Sequence, residues 1–162
     1  MTEQTRSAVE QRLAELGHDV PDVAAPVAAY VPAMQHGDLV FTSGQLPFVG
    51  GVLPATGKVG EGEGLVDPEE ARRLAALCAL NAIAAVRSVV GDLDKVVRVV
   101  KVVGFVASDP AFTGQPGVIN GASELLGHAF GDAGVHARSA VGVAVLPLDT
   151  PVEVEITVAV SS

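Results

Sequence analysis

The chain has 162 residues, 49% hydrophobic and 18% charged, with nineteen acidic side chains against ten basic ones and a net charge of −9. That length suits one domain with one core, the apolar content excludes intrinsic disorder, and the acidic balance argues against a nucleic-acid partner, whose phosphates require a basic patch. The single cysteine, Cys78, has no partner for an internal disulfide, so no oxidising compartment is implied.

In chain order, residues 2–17 predict a short amphipathic helix, with Val9, Leu13 and Leu16 at helical spacing and Gly17 as its stop. The polar N-terminus lacks the apolar core of a signal peptide. Even the most apolar stretch, 74–90, carries Asn81 and Arg87, so no membrane span is expected and the cytoplasm is the default location. Residues 18–29 read as an extended linker, so residues 1–29 precede a single domain spanning 30–162.

That domain opens with two β-prone runs, 30–35 and 39–43, split by a turn at Gly37-Asp38. A glycine-rich loop over 44–66 follows, without the spacing of a phosphate-binding loop. Asp67-Pro68-Glu69-Glu70 is a helix start, and Ala71, Leu74, Ala75, Cys78, Ala82, Ala85, Val86 and Val89 continue it as an apolar stripe until Gly91. Residues 96–107 predict a mostly buried strand, 108–117 a loop, and 118–131 a second helix. Two strands close the chain: one over 139–146, entered at Arg138, and one over 152–158 in which Val and Ile alternate strictly with Glu153, Glu155 and Thr157. The order β-β-α-β-α-β-β describes an α+β fold, a mixed sheet with two helices on one face, plus the N-terminal helix.

Few residues carry recognisable chemistry. His18, His36, His128 and His136 are scattered without metal-ligand spacing, so no metal site is expected, and Cys78 lies on a core stripe. What remains is a polar set at strand ends: Ser43-Gly44-Gln45, Arg138 and Glu153. The planar fork of Arg138, flanked by small residues, suits capture of a carboxylate, and it suits equally an ion pair with Glu153 or Glu155 on a neighbouring strand. Tyr30, the one phenol, can line a pocket or pack at a strand edge; Ser43 and Asn120 can cap a turn and a helix.

Two motifs narrow the choice. The stretch from Tyr30-Val-Pro-Ala through Gly37-Asp-Leu-Val-Phe-Thr-Ser-Gly-Gln-Leu-Pro47, and His136-Ala-Arg-Ser-Ala-Val through Leu146-Pro147 followed by Val152-Glu-Val-Glu155, resemble the RidA family, also called YjgF or L-PSP endoribonuclease. The resemblance covers about residues 30–160. It implies a trimeric chorismate-mutase-like fold with sites in clefts between subunits, and hydrolytic deamination of enamine and imine intermediates to 2-oxo acids without metal or organic cofactor.

Carried over by motif, Arg138 would grip the substrate carboxylate and Glu153 would orient or activate water. Tyr30, Ser43, Gly44, Asn120 and Ala140 would bind substrate. His136 stands where many members have Pro, Ala140 where many have Cys, and Gly142 where a larger residue is common. The N-terminal helix and the glycine-rich loop resemble a longer subgroup. The implied partners are a small carboxylate or imino acid and two further copies of the chain. A non-catalytic carboxylate binder or chaperone-like trimer is the alternative, and ribonuclease activity ranks lower in so acidic and aromatic-poor a chain.

Overall fold

A computed structural model describes residues 5–23 and 29–162. Its strands are β1 (Ala33–His36), β2 (Leu39–Thr42), β3 (Val96–Ala107), β4 (Ala137–Val143) and β5 (Val152–Val160), joined into one sheet in the order β1-β2-β5-β3-β4. All pairings are antiparallel except β3 with β4. The helices are α1 (Ala8–Glu15), α2 (Pro68–Val90) and α3 (Gln115–Phe130). The expected α+β arrangement is therefore present, with β4 reached from β3 by the crossover helix α3.

The period-two pattern of the last strand decides which face is buried. Val152, Val154, Ile156, Val158 and Val160 are all buried beneath the helices, while Glu153, Glu155 and Thr157 point to the opposite face. On the covered side, α2 and α3 pack side by side. Gly104 of β3 lets α3 settle onto the sheet, because a Cβ there would overlap the Ile119 side chain. By length and composition α2 is apolar enough to cross a membrane, but it lies largely inside the fold and serves as its core helix. Of its apolar stripe only Val89, at the last turn, is exposed.

Several boundaries differ from the sequence reading. Tyr30 lies in a bend before β1 rather than in a strand, since Pro32 supplies no backbone donor. Helix α3 starts three residues early, at Gln115, because Pro116 fits the first turn, where no donor is needed. Strand β4 begins at Ala137, so Arg138 is inside the ladder, paired with Val102. Helix α1 is shorter than 2–17; residues 2–4 of that span, and 24–28 of the expected linker, lie outside the described residues.

The N-terminal helix is docked by specific contacts. Ser7 and Glu10 form a reciprocal capping box, and Asp94 accepts from the Ala8 and Val9 amides. Arg87 of α2 pairs with Glu10 at 2.8 Å and also donates to the Val20 and Pro21 carbonyls at 3.2 Å. The helix and the strap after it are thereby tied across α2.

A candidate site in two halves

The first half centres on Glu153. Strand β2 ends at Thr42, and the chain runs on so that Gln45 exchanges two backbone hydrogen bonds with Val154. This pairing brings Gly44 against Glu153 so closely that a Cβ on Gly44 would coincide with the carboxylate. Burial raises the Glu153 carboxyl above its ordinary value, and the negative charge of Glu155 adds to the rise. A cavity of about 720 Å³ adjoins it, lined by Tyr30, Gly44, Gln45, Phe48, Asn81 and Leu148, among others, and by Pro21, Asp22 and Val23 of the strap. Among the described lining residues the only charged groups are the carboxylates of Asp22 and Glu153.

The second half centres on Arg138, on the edge strand β4. Its register partner Val102 is buried beneath the helices, so Arg138 faces α3. There Nη1 donates to Asn120 Oδ1 at 2.8 Å and to Ser123 Oγ at 3.2 Å, and Nη2 reaches the Pro116 carbonyl at 3.4 Å. A guanidinium has five N–H groups. Three are engaged here, and the remaining two, Nε–H among them, have no partner among the described residues.

The two halves do not meet within one chain. Strand β3 separates β4 from β5, and Glu153 is in register with Phe105, on the face opposite Val102. The strand-to-strand ion pair that sequence allowed between Arg138 and Glu153 or Glu155 is therefore not formed; the alternation of the sheet puts those charges on opposite sides.

The other expected site residues divide between the halves. Tyr30 lines the Glu153 cavity and is 60% exposed. The Ser43 hydroxyl donates to the Val31 carbonyl at 2.6 Å and its amide to Pro32, so Ser43 braces the segment that carries Tyr30. Asn120 caps nothing: it lies one turn inside α3 and accepts from Arg138. Ala140 faces the helices and packs against the core. Gly142 opens no cleft, because Gln115 occupies the space a side chain there would fill. Cys78 is fully buried, with its thiol pushed well up by burial.

Sequence reasoning missed Ser123 and the strap residues 21–23. Ser123 was legible in principle, since it follows Asn120 by three residues and shares its helix face. The strap carries no local signal, because its placement depends on Arg87. No group of three or more potential metal ligands occurs among the described residues.

Comparison with known proteins agrees with this architecture. Residues 10–158 match the family described as "YjgF/chorismate_mutase-like, putative endoribonuclease". Protein TCP17 of Trypanosoma cruzi is 42% identical over 148 residues, 91% of each chain. The crystal structure of Atu1372 from Agrobacterium tumefaciens is 45% identical, with a TM-score of 0.88 over 95% of this chain and 93% of that one. Escherichia coli TdcF with bound serine is 26% identical, with a TM-score of 0.61 over 86% of this chain and 94% of that one. Because the match spans both the β2–loop segment that carries Gly44 and the edge strand that carries Arg138, this chain belongs to the YjgF/RidA family, with its chorismate-mutase-like fold.

Proposed function

We propose that this protein is a cofactor-independent hydrolase that converts 2-imino acids to 2-oxo acids and ammonia, at sites completed between subunits of a trimer. The observation that carries the reading is the division of the site: a carboxylate-gripping Arg138 on an edge strand, and a raised Glu153 beside a cavity whose described lining offers no cation. Each half supplies what the other lacks. The uncovered sheet face supports association, since Phe41, Val97, Val100 and Val141 are all between about a third and a half exposed there. Serine in TdcF, an α-amino acid with the same carboxylate, fits the same substrate class.

The chemistry asks little of the protein. The imine carbon is already electrophilic, so binding and orientation supply much of the rate. Arg138 holds the carboxylate through its unengaged donors. Glu153 takes a proton from water as the oxygen attacks the carbon of the protonated imine, giving a neutral carbinolamine. The protonated Glu153 returns that proton to nitrogen; as the C–N bond breaks, the hydroxyl proton passes back to Glu153 and on to solvent, and ammonia leaves with the 2-oxo acid behind. A carboxyl held above its ordinary value suits both steps.

The test generates 2-imino acids in situ with an amino-acid oxidase and follows 2-oxo acid release with catalytic amounts of protein. No acceleration with small, branched or aromatic substrates overturns the reading. Shared sites have a sharper signature: Arg138→Ala and Glu153→Ala are each inactive, but co-expressed they form mixed trimers with about a quarter of the sites intact. Absence of that recovery overturns the shared site. RNA left uncut by the same preparations disposes of the ribonuclease alternative.

A further inference from the structure

Behind Arg138 the structure holds a chain of hydrogen bonds that the proposed reaction does not itself need. His136 Nδ1 lies 2.6 Å from the Gly134 carbonyl, and its Nε2 lies 2.9 Å from Ser123 Oγ. Ser123 Oγ in turn lies 3.2 Å from Arg138 Nη1. The donor roles follow from what each partner can do. A carbonyl only accepts, so Nδ1 carries the proton and donates to Gly134. In the imidazole form Nε2 is then left with a lone pair and receives the Ser123 hydroxyl proton. The guanidinium only donates, so Ser123 Oγ offers its own lone pair to Nη1.

We infer that His136 and Ser123 are positioning residues for Arg138: together they lock the guanidinium so that its free edge faces the substrate carboxylate. The reason lies in the geometry of an edge strand. Arg138 has a long side chain with much rotamer freedom to lose, and its neighbours Ala137, Ser139 and Ala140 are too small to hold it by packing. Besides the Asn120 bond, the guanidinium is held only by the long 3.4 Å contact from Nη2 to the Pro116 carbonyl, which fixes the plane loosely. A second acceptor on Nη1 fixes the plane. A hydroxyl can serve only if its own proton is directed elsewhere, and His136, anchored by Gly134, supplies that direction. A residue without a side-chain acceptor at 136 would leave the Ser123 hydroxyl proton undirected. Bonds that orient a binding group from behind contribute to affinity much as outer partners do at metal sites.

This inference rests on the proposed carboxylate role of Arg138, so its test includes a readout that needs no turnover. The probes are 2-oxobutanoate, titrated by calorimetry, and nitrogen-15 NMR of the Arg138 side chain and the His136 ring. Ser123→Ala and His136→Leu are each expected to weaken 2-oxobutanoate binding and raise KM about tenfold, the loss of one hydrogen bond to a charged group, with kcat within about twofold. The double variant is expected to be no worse than either single one, because both break the same chain. His136→Gln, whose amide oxygen can accept the Ser123 hydroxyl proton, is expected to recover most of the loss. In wild type the Arg138 N–H signals are expected to be sharp and the ring to show the Nδ1–H tautomer; in Ser123→Ala the Arg138 signals are expected to broaden.

Wild-type affinity in both single variants, additive losses in the double, or a fall in kcat at constant KM overturns the positioning role. If wild type itself binds no 2-oxo acid, the carboxylate reading fails. The locking of Arg138 is then judged by NMR alone: unchanged Arg138 signals in Ser123→Ala refute it.

Discussion

The carboxylate of Glu153 occupies the space that a β-carbon on Gly44 would fill. Only glycine at position 44 lets β5 present this side chain beside the cavity while Gln45 and Val154 keep their paired backbone hydrogen bonds. Gly44→Ala is therefore expected to push Glu153 aside and lower kcat about a hundredfold, the scale of a 1 Å misplacement. Global stability is expected to change much less, because Glu153 lies outside the core. Steady-state kinetics beside thermal unfolding tests this; wild-type kcat in a folded variant would dismiss the close approach as incidental.

Glu153 also sets a pH dependence. Its folded-state value lies above the ordinary carboxylate value of 4.5, so the native state holds this proton more tightly than the unfolded chain does. The contribution favours folding below the unfolded value and is lost as pH rises through the folded one. Glu153→Gln is therefore expected to be more stable than wild type at neutral pH, with the gap closing on acidification. Its activity is expected to fall about 10²–10⁴-fold, the range for losing a general base. Paired denaturation curves at acid and neutral pH, with the rate profile, read both; a Gln variant less stable at neutral pH would contradict the burial cost.

Arg138→Lys keeps the charge but replaces a planar fork by a point charge that cannot hold Asn120 and Ser123 while gripping a carboxylate. KM is expected to rise about 10–100-fold, the weight of one lost charged hydrogen bond. Kinetics with an imino acid generated in situ decides the matter, and unchanged KM would assign Arg138 a purely structural role.

Arg87 ties the N-terminal helix to the cavity wall through Glu10 and the Val20 and Pro21 carbonyls. Burial pushes the Glu10 carboxyl up, but bonds from the Ser7 amide and hydroxyl and from Arg87 together hold it below its ordinary value. Its stabilising contribution is thus present above the unfolded value and lost as pH falls through the folded one. Arg87→Ala is expected to cost about 1–3 kcal/mol and to raise hydrogen exchange in Ala8–Glu15 selectively. Exchange mass spectrometry measures this, and unchanged protection across α1 would show that α1 is held without the tie.

Assembly is open to direct measurement. A solution mass about three times the 16.4 kDa chain is expected, with activity lost on dissociation. A fully active monomer in light scattering would refute both the trimer and the shared cleft.

Much of this was legible in the residues themselves. The strict alternation over 152–158 assigns Glu153 to the uncovered face, because successive strand residues point in opposite directions whatever surrounds them. The stripe of α2 and the cap at Asp67 are likewise local, since periodicity and a single side-chain cap define them within a few turns. The motifs around Gly44 and Arg138 named the candidate groups. What those groups touch was decided only by the tertiary fold. Whether Arg138 meets Glu153 depends on strand order and on the parity of two registers across β3, which no local pattern encodes. The support of Arg138 by Ser123 and His136 depends on the rotation of α3 over the edge strand. The strap at the cavity depends on an arginine more than sixty residues away. Short-range physics determines which face a side chain takes; long-range packing determines its company on that face.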